Sequence, residues 1–523
     1  MANELIKEKI ALSRVVGKET AQLLLESDII VPDIKPDMAV MLKADADIVF
    51  DRVDILNDRI SYFGKLTIKA LYLSKGDNNV HSVSVSTNVE DFINMDGVSK
   101  DMWASVNAII SNIDYKLVND RKIGYRAVIE VSATVEERTE SLVVTGIENL
   151  PEAQLKMGKL NVNRTVEHKE DRFIIKEDLN VTSGKPNIRE ILHTNISISN
   201  KETRVSAGKV NISGELIVSI LYRTDDTENV LEFIEHEVPF NGAIDAAAAA
   251  DGMVCDAALR LLDQYIQARP NEDGEDRVIE MEASIGVMMK ITTQSEVNVL
   301  EDAYCIDKTL EYTKQAVSFP ALICRNKNQH TVKEVVRLDD SNPEILQIFR
   351  VSGRVQHDDT TIADDRITVE GVIYTDILYI AGSDDSPLYN HKSILPFKQT
   401  IETKGAQTGM DVNLEINIDH SSFSMLSEKE VEIRFLLSCN ANVTENIHSE
   451  VITDIEFNDT DKSILDKMAA MTICIVQPGD TLWSIAKRYN AALDDLIALN
   501  DLEDPNKIYP GQKIVIVKRG LGL

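Results

Sequence analysis

Nucleophilic, acid–base and metal chemistry each require particular side chains at particular spacings, and this chain offers few of them. Its nine histidines (His81, His168, His193, His236, His330, His357, His391, His420 and His448) form no H-E-x-x-H and no i, i+4 pair. The five cysteines, Cys255, Cys305, Cys324, Cys439 and Cys474, are scattered and contain no C-x-x-C. That pattern lacks the usual zinc spacings and argues against a disulfide framework, so a reducing compartment fits best. The aspartate pairs Asp358-Asp359, Asp364-Asp365 and Asp384-Asp385 fall where hairpin turns are expected, and turns favour Asp because its carboxylate bonds nearby backbone. The phosphate-cradling and nucleophile-elbow motifs G-x-x-x-x-G-K, G-x-G-x-x-G and G-x-S-x-G are missing. The reading is therefore a protein that is not an enzyme, with no metal and no cofactor.

A binding site is better supported. Residues 472–518 read TICIVQPGDTLWSIAKRYNAALDDLIALNDLEDPNKIYPGQKIVIVK. Ile473 and Ile475 followed by Pro478-Gly479 predict a strand and a turn, and Asp480 or Thr481 is placed to cap a helix. Leu482, Ile485, Ala486 and Tyr489 stand at i, i+3, i+4 and i+7, which gives that helix one buried stripe. A second helix runs over Leu493, Leu496, Ile497 and Asn500, and Pro510-Gly511 turns into a last strand with Ile514 and Ile516. The order is βααβ. Through QPGDTLWSIAKRY, the Asn500-Asp501-Leu502 element and IYPGQKI, the stretch resembles the LysM module. That resemblance implies a shallow groove for N-acetylglucosamine-containing glycans between two loops. One loop is Gly479, Asp480, Thr481 and Leu482; the other is Asn506, Lys507, Ile508, Tyr509 and Pro510.

The rest of the chain is organised by a spacing that occurs three times. Pro36, Gly64 and Tyr72 recur as Pro186, Gly214 and Tyr222, and again as Pro343, Gly371 and Tyr379, with intervals of 28 and then 8 residues in each copy. The copies are separated by 150 and 157 residues, so the repeating unit is a whole domain. Around the glycine the text alternates: Val210, Ile212, Gly214, Leu216, Val218, Ile220 and Tyr222 share one parity, with Ile217 and Leu221 as exceptions on the other. Alternation of this length predicts a half-buried strand, and a glycine inside it marks a bend or bulge. Polar turns such as NKET and HDDTT are expected to split further segments into hairpins, and each copy has a strand ending in Phe92, Phe240 or Phe397. The stretch AIDAAAAADGM reads as helix or loop. Many short strands with regular turn signals predict a mainly β protein, with three tandem sandwich or barrel-like repeats before the small βααβ unit.

With 523 residues, several cores are needed. The predicted organisation is an amphipathic helix over 1–26, repeats over 27–165, 166–325 and 326–457, a linker over 458–471 and the LysM-like unit over 472–518. The helix rests on Leu5, Ile10, Leu12, Val15, Ala21, Leu24 and Leu25 at roughly helical intervals. The net charge of −31 sits almost wholly in the repeats, because residues 472–518 hold five basic and six acidic side chains. Such a surface disfavours nucleic acid and anionic lipid, whose phosphates need clustered Lys and Arg. The first residues lack an apolar signal core and no run reaches 18 apolar residues, so neither export nor membrane insertion is expected.

The blocks GELIVSILY followed by VPF, and GVIYTDILY followed by LPF, resemble the SPOCS domain (the DUF3794 family) of endospore-forming bacteria, as does LEDAYCIDKTLEY at 300–312. The first copy departs most, with Glu90-Asp91-Phe92 in place of the Pro-Phe element. SPOCS copies ending in one LysM module match the spore coat and envelope morphogenesis proteins. The resemblance implies a scaffold in the mother-cell cytosol at the forespore surface. Its partners would be the SpoIVA-like basement-layer ATPase and other coat proteins. That location would also explain a LysM module without an export signal, with the groove turned toward protein. A peptidoglycan-binding wall protein is the alternative.

Overall fold

The structure is a computed structural model that describes residues 4–76, 79–150, 152–226, 230–306, 308–382, 387–459, 471–502, 504–505 and 507–517. The first repeat contains β1 (Glu4–Ile30), β2 (Met38–Leu56), β3 (Arg59–Ser74), β4 (Val80–Asn94), β5 (Trp103–Asn119) and β6 (Lys122–Glu148). The second contains β7 (Ala153–Asn180), β8 (Ile188–Ser206), β9 (Lys209–Thr224), β10 (Leu231–Asp245), β11 (Val254–Pro270) and β12 (Asp276–Cys305). The third contains β13 (Lys308–Arg337), β14 (Ile345–Ala363), β15 (Arg366–Ala381), β16 (Leu388–Glu402), β17 (Asp411–Ser427) and β18 (Glu430–Asp459). In every repeat the second, third and fourth strands form an antiparallel meander, and the sixth strand lies between the first and the fifth. These two three-stranded sheets face one another across a single apolar core. The repeats are sandwiches, and no barrel closes among the described residues.

The Pro–Gly–Tyr spacing now has a cause. The tyrosine lies at the far end of the central strand and is fully buried at 0% exposure in all three copies. Its hydroxyl donates to the carbonyl of the repeat's proline, Tyr72 to Pro36 at 3.1 Å, Tyr222 to Pro186 at 3.1 Å and Tyr379 to Pro343 at 3.0 Å. A buried phenol needs such a partner, and the partner here fixes where the chain enters the meander. The glycine stands opposite a bulge in the preceding strand, where the register shifts between Phe50 and Arg52, Ser199 and Glu202, or His357 and Asp359. The bulge pushes backbone into the space a side chain would fill. A methyl group at Gly64 would lie 2.1 Å from the Val49 carbonyl oxygen, and one at Gly371 would lie 2.4 Å from that of Gln356. Phe240 and Phe397 pair directly with Gly214 and Gly371, so their rings cover the bare backbone. In the first repeat Val89 holds that register and Phe50 covers Gly64 from the bulged strand. Phe92 is thus not the counterpart of Phe240: it is 42% exposed, with the Arg59 guanidinium 4.0 Å above its ring.

Several expectations are corrected. Residues 4–30 form no amphipathic helix; they are β1, paired along its length with β6. Bulges at Ile6/Lys7 and Val15/Gly17 shift the phase of its alternation, and the broken alternation imitates helical spacing. The repeat boundaries at 165/166 and 325/326 fall inside β7 and β13, which pair with β12 and β18 over 153–305 and 308–459. NKET and HDDTT are not turns but the bulges within β8 and β14. Asp358 and Asp359 therefore lie in a strand, whereas Asp365 does occupy a turn, at φ 59°. Residues 246–252 are turns packed against Gly208, without a helix. The expected linker falls largely on 460–470, outside the described residues, as do Asp384 and Asp385.

The first and last strands of each repeat run on beyond its sandwich as a two-stranded ribbon. The three ribbons pack together over Ile10, Val143, Val162, Val299, Phe319 and Val451. A second shared cluster joins the meanders through Leu71, Leu192, Leu221, Phe349, Leu378 and Leu388. Each repeat touches both others, so the three close into a ring rather than a linear array. Ion pairs cross the seams: Lys290 meets Glu136 at 2.5 Å, Arg325 meets Asp256 at 2.8 Å, and Lys201 meets Glu415. They line a cleft of about 700 Å³ whose charges are thereby largely neutralised from repeat to repeat.

Candidate binding groove and its dock

The C-terminal unit is β19 (Met471–Ile475), α1 (Leu482–Arg488), α2 (Leu493–Leu499) and β20 (Lys513–Val517), in the predicted βααβ order. Its core takes Leu482, Ile485 and Ala486 from α1 and Leu496 from α2, with Cys474, Val476, Ile514 and Ile516 from the strands and their flanks. Ile473 and Ile475 lie on the opposite face of β19 and are exposed. Asn500 ties the unit together. Its Nδ2 donates to the carbonyls of Leu496 (2.9 Å) and Val515 (2.8 Å), and its Oδ1 accepts from the Val515 N–H at 2.7 Å.

The two predicted groove loops are side by side. The Val476 N–H donates to the Gln512 carbonyl, and the Gly511 N–H to the Val476 carbonyl, both at 2.9 Å. Gly479 turns the first loop at φ 89°, a conformation that L side chains rarely adopt. Thr481 caps α1 and makes a capping box with Ser484, each side chain accepting the other residue's N–H at 3.0 Å. Asp480 accepts from the Gln477 N–H at 2.9 Å and from Arg488 at 2.7 Å, and these bonds hold its carboxyl below the usual carboxylate range. Gly479 and Thr481 are exposed, whereas Leu482 is buried in the core. In the second loop Lys507 and Pro510 are exposed and Tyr509 is 66% exposed, while Ile508 is half-buried against the core. Asn506 lies outside the described residues.

What sequence reasoning missed is a dock of this unit against the ends of β7, β12 and β13. Tyr304, near the end of β12, is buried in its core, and its hydroxyl donates to the Ala491 carbonyl at 2.8 Å. The Trp483 ring meets Tyr304 edge-on at 5.0 Å, and its Nε1 donates to Asp302 at 2.8 Å. Lys487 reaches the other oxygen of Asp302 at 2.5 Å and lies over the Tyr312 ring at 5.2 Å. Burial alone would raise the Asp302 pKa, but the Lys487 and Trp483 donors outweigh it and hold the group ionised below its ordinary range. Gln154 accepts from the Leu493 N–H at 3.3 Å. The dock residues all come from LEDAYCIDKTLEY and the start of β7, where the apolar and charged residues are interleaved without an obvious core role. Gly479, Thr481, Lys507, Tyr509 and Pro510 of the two loops remain exposed with this dock in place.

Residues 37–118, 187–267 and 344–426 match the family described as SipL, SPOCS domain, and residues 474–517 match the LysM domain. The chain is a SPOCS–LysM protein. No curated protein and no solved structure matches it. Each SPOCS match begins one residue after the repeat's proline and ends in the fifth strand, so it spans the meander and one edge of the other sheet. The first and sixth strands, which build the ribbons, lie outside it. SPOCS and LysM are non-catalytic binding modules, and together they suggest a sporulation-related protein with a candidate peptidoglycan-binding module. Among the described residues no group of three or more His, Cys, Asp or Glu is placed to hold a metal ion, and no helix is long and apolar enough to cross a membrane. Among the described residues no disulfide joins any of the five cysteines.

Proposed function

We propose that this SPOCS–LysM protein is a non-enzymatic scaffold of endospore coat and envelope assembly. It would tether the coat to the basement layer at the forespore surface, in the mother-cell cytosol, through protein–protein contacts. The observation that supports this reading best is the dock. A LysM domain fixed to a closed body by Asp302, Tyr304 and Tyr312 presents its groove at a set position, as a tether requires. A reader of extended glycan needs no such fixation. The partner reading is a SpoIVA-like basement-layer ATPase at the groove, with other coat proteins on the SPOCS body. The second reading, N-acetylglucosamine glycan in the same groove, is favoured by the exposed Tyr509, whose ring offers an apolar face for a sugar.

The test uses the full chain, offered separately to insoluble peptidoglycan and to the purified basement-layer ATPase. Gly479, Asp480, Thr481, Leu482, Lys507, Ile508, Tyr509 and Pro510 form the candidate contact. Ile508 packs partly on the core, so Thr481→Ala with Tyr509→Ala is the cleaner pair of probes. It costs about 1 kcal/mol through the lost cap. Capture of the ATPase by the wild type and its loss in the folded double variant is the expected result. Undiminished capture by the variant would move the interface to the SPOCS body. Retention of the wild type on peptidoglycan alone would favour the wall reading.

A further inference from the structure

The three repeats present the same position to one another with three different side chains. Lys43, His193 and Arg350 each stand seven residues after the repeat's proline. Each follows a bulge in the second strand, at Met41/Lys43, Ile191/His193 and Ile348/Arg350. The same local geometry thus brings all three to one hub where the repeats meet. There Asp45 of the first repeat accepts from His193 of the second at 2.8 Å and from its own Lys43 at 3.3 Å. Lys69 of the first repeat donates to the Thr194 carbonyl of the second at 3.2 Å. Arg350 of the third repeat lies within electrostatic range of Asp45 and Asp47 of the first, Glu235 of the second and its own Asp376. Lys43 is 5% exposed and the His193 side chain 10% exposed, so these donors have exchanged most of their water for the Asp45 carboxylate.

The neighbouring apolar cluster is partly shared: Leu71, Leu221 and Leu378 are equivalent, as are Leu42, Leu192 and Phe349, and its one aromatic pair across repeats is Phe233 of the second with Phe349 of the third, at 6.2 Å between ring centroids. The hub does discriminate. The positions of Asp45 and Asp47 are Asn195 and Ser197 in the second repeat and Ser352 and Arg354 in the third. A ring of second repeats would lack the carboxylates that His193 meets. A ring of third repeats would bring three guanidiniums together with only Asp376 to answer each. Like charges and unpaired donors in a half-buried contact are strongly disfavoured.

We propose that this hub is a recognition code between repeats, making them non-interchangeable and closing each chain on itself instead of on the repeats of a second chain. The partner that this surface fits is therefore another repeat of the same chain in a defined order. The inference is independent of the proposed tethering role, because it concerns only how the SPOCS body assembles.

The test exchanges the code without changing its composition, by combining His193→Arg with Arg350→His in the full chain. Light scattering after size-exclusion chromatography and amide hydrogen exchange of β2, β8 and β14 are the readouts. The expected result is exchange about tenfold faster in those strands, with the sandwich strands β3, β9 and β15 still protected and species of two or more chains appearing as concentration rises. A monomer with wild-type exchange in all three strands would overturn the proposal. Asp45→Asn, which is isosteric and keeps a hydrogen-bond acceptor, provides the decision should the exchanged variant fail to fold. It is expected to loosen β2 and β8 with the meander cores intact, and wild-type exchange in this variant would equally overturn the code.

Discussion

Replacing Asp302 by Ala should undock the LysM domain without unfolding it. The carboxylate makes two contacts across the junction, from Trp483 Nε1 at 2.8 Å and from Lys487 Nζ at 2.5 Å. The ion pair is partly solvated, with side-chain exposures of 38% and 28% for Lys487 and Asp302, so after screening it contributes at most about 1 kcal/mol. The indole bond to a charged acceptor contributes about 1 kcal/mol more, because its loss strands a half-buried N–H. Together these shift the docking equilibrium by about 2 kcal/mol, or roughly thirtyfold. The remaining hold is Tyr304, with its ring in the LysM core and its bond to the Ala491 carbonyl, together with the Leu493 N–H bond to Gln154 and Lys487 over the Tyr312 ring. The assay is indole quenching in a Trp103→Phe background, leaving Trp483 as the reporter, with hydrogen exchange of residues 300–312 alongside. Helix content is the control for folding, since among the described residues the only helices are the two of the LysM domain. The expected result is a more quenchable indole and faster exchange at 300–312 at constant helix content. Unchanged quenching and exchange would mean that Tyr304, Gln154 and Tyr312 hold the dock without Asp302, and the Asp302 network would be refuted as its anchor.

Three further outcomes follow from the same structure. The dock should weaken in acid. Asp302 has a folded pKa below its unfolded value, so its contribution is complete above about pH 4 and is lost as pH falls through the lower folded value; on the alkaline side the Lys487 part of the contact is lost only as pH rises through that lysine's raised folded pKa. A Trp483 titration with its only acidic transition above pH 5 would contradict this. Gly64→Ala and Gly371→Ala should each cost about 3 kcal/mol or more, because the new methyl meets a carbonyl oxygen at 2.1 and 2.4 Å, whereas Gly214→Ala meets the Phe240 ring at 2.8 Å and a carbonyl only at 3.0 Å and should cost less. Denaturant unfolding of the three variants ranks them, and an equal cost at all three sites would refute the bulge argument. Tyr222→Phe should cost about 1 kcal/mol by removing the bond to the Pro186 carbonyl, and an unchanged unfolding midpoint would show that bond to be replaceable by water.

The sequence by itself determined the repeating unit and the small domain. The central strand of each repeat is legible because one face lies in its own sandwich: Val210, Ile212, Leu216, Val218, Ile220 and Tyr222 are buried on one parity, as the alternation requires. The LysM domain is legible for the same reason, since its helical stripe, cap and turns act within a short stretch of chain. Leu221 and Leu378 broke or blurred the alternation, and only the tertiary structure explains them, as members of the cluster shared by the three meanders. β1 was unreadable because its partner β6 begins at Lys122 and its bulges hide the period of two. The dock and the hub escaped for a related reason. Asp302 and Trp483 are 181 residues apart, and Asp45 and His193 are 148 apart. Periodicity records which face of a strand or helix avoids water. Which distant surface covers that face, and which distant charge answers a charge there, is decided only when the three repeats close on one another and the LysM domain settles onto their ribbons.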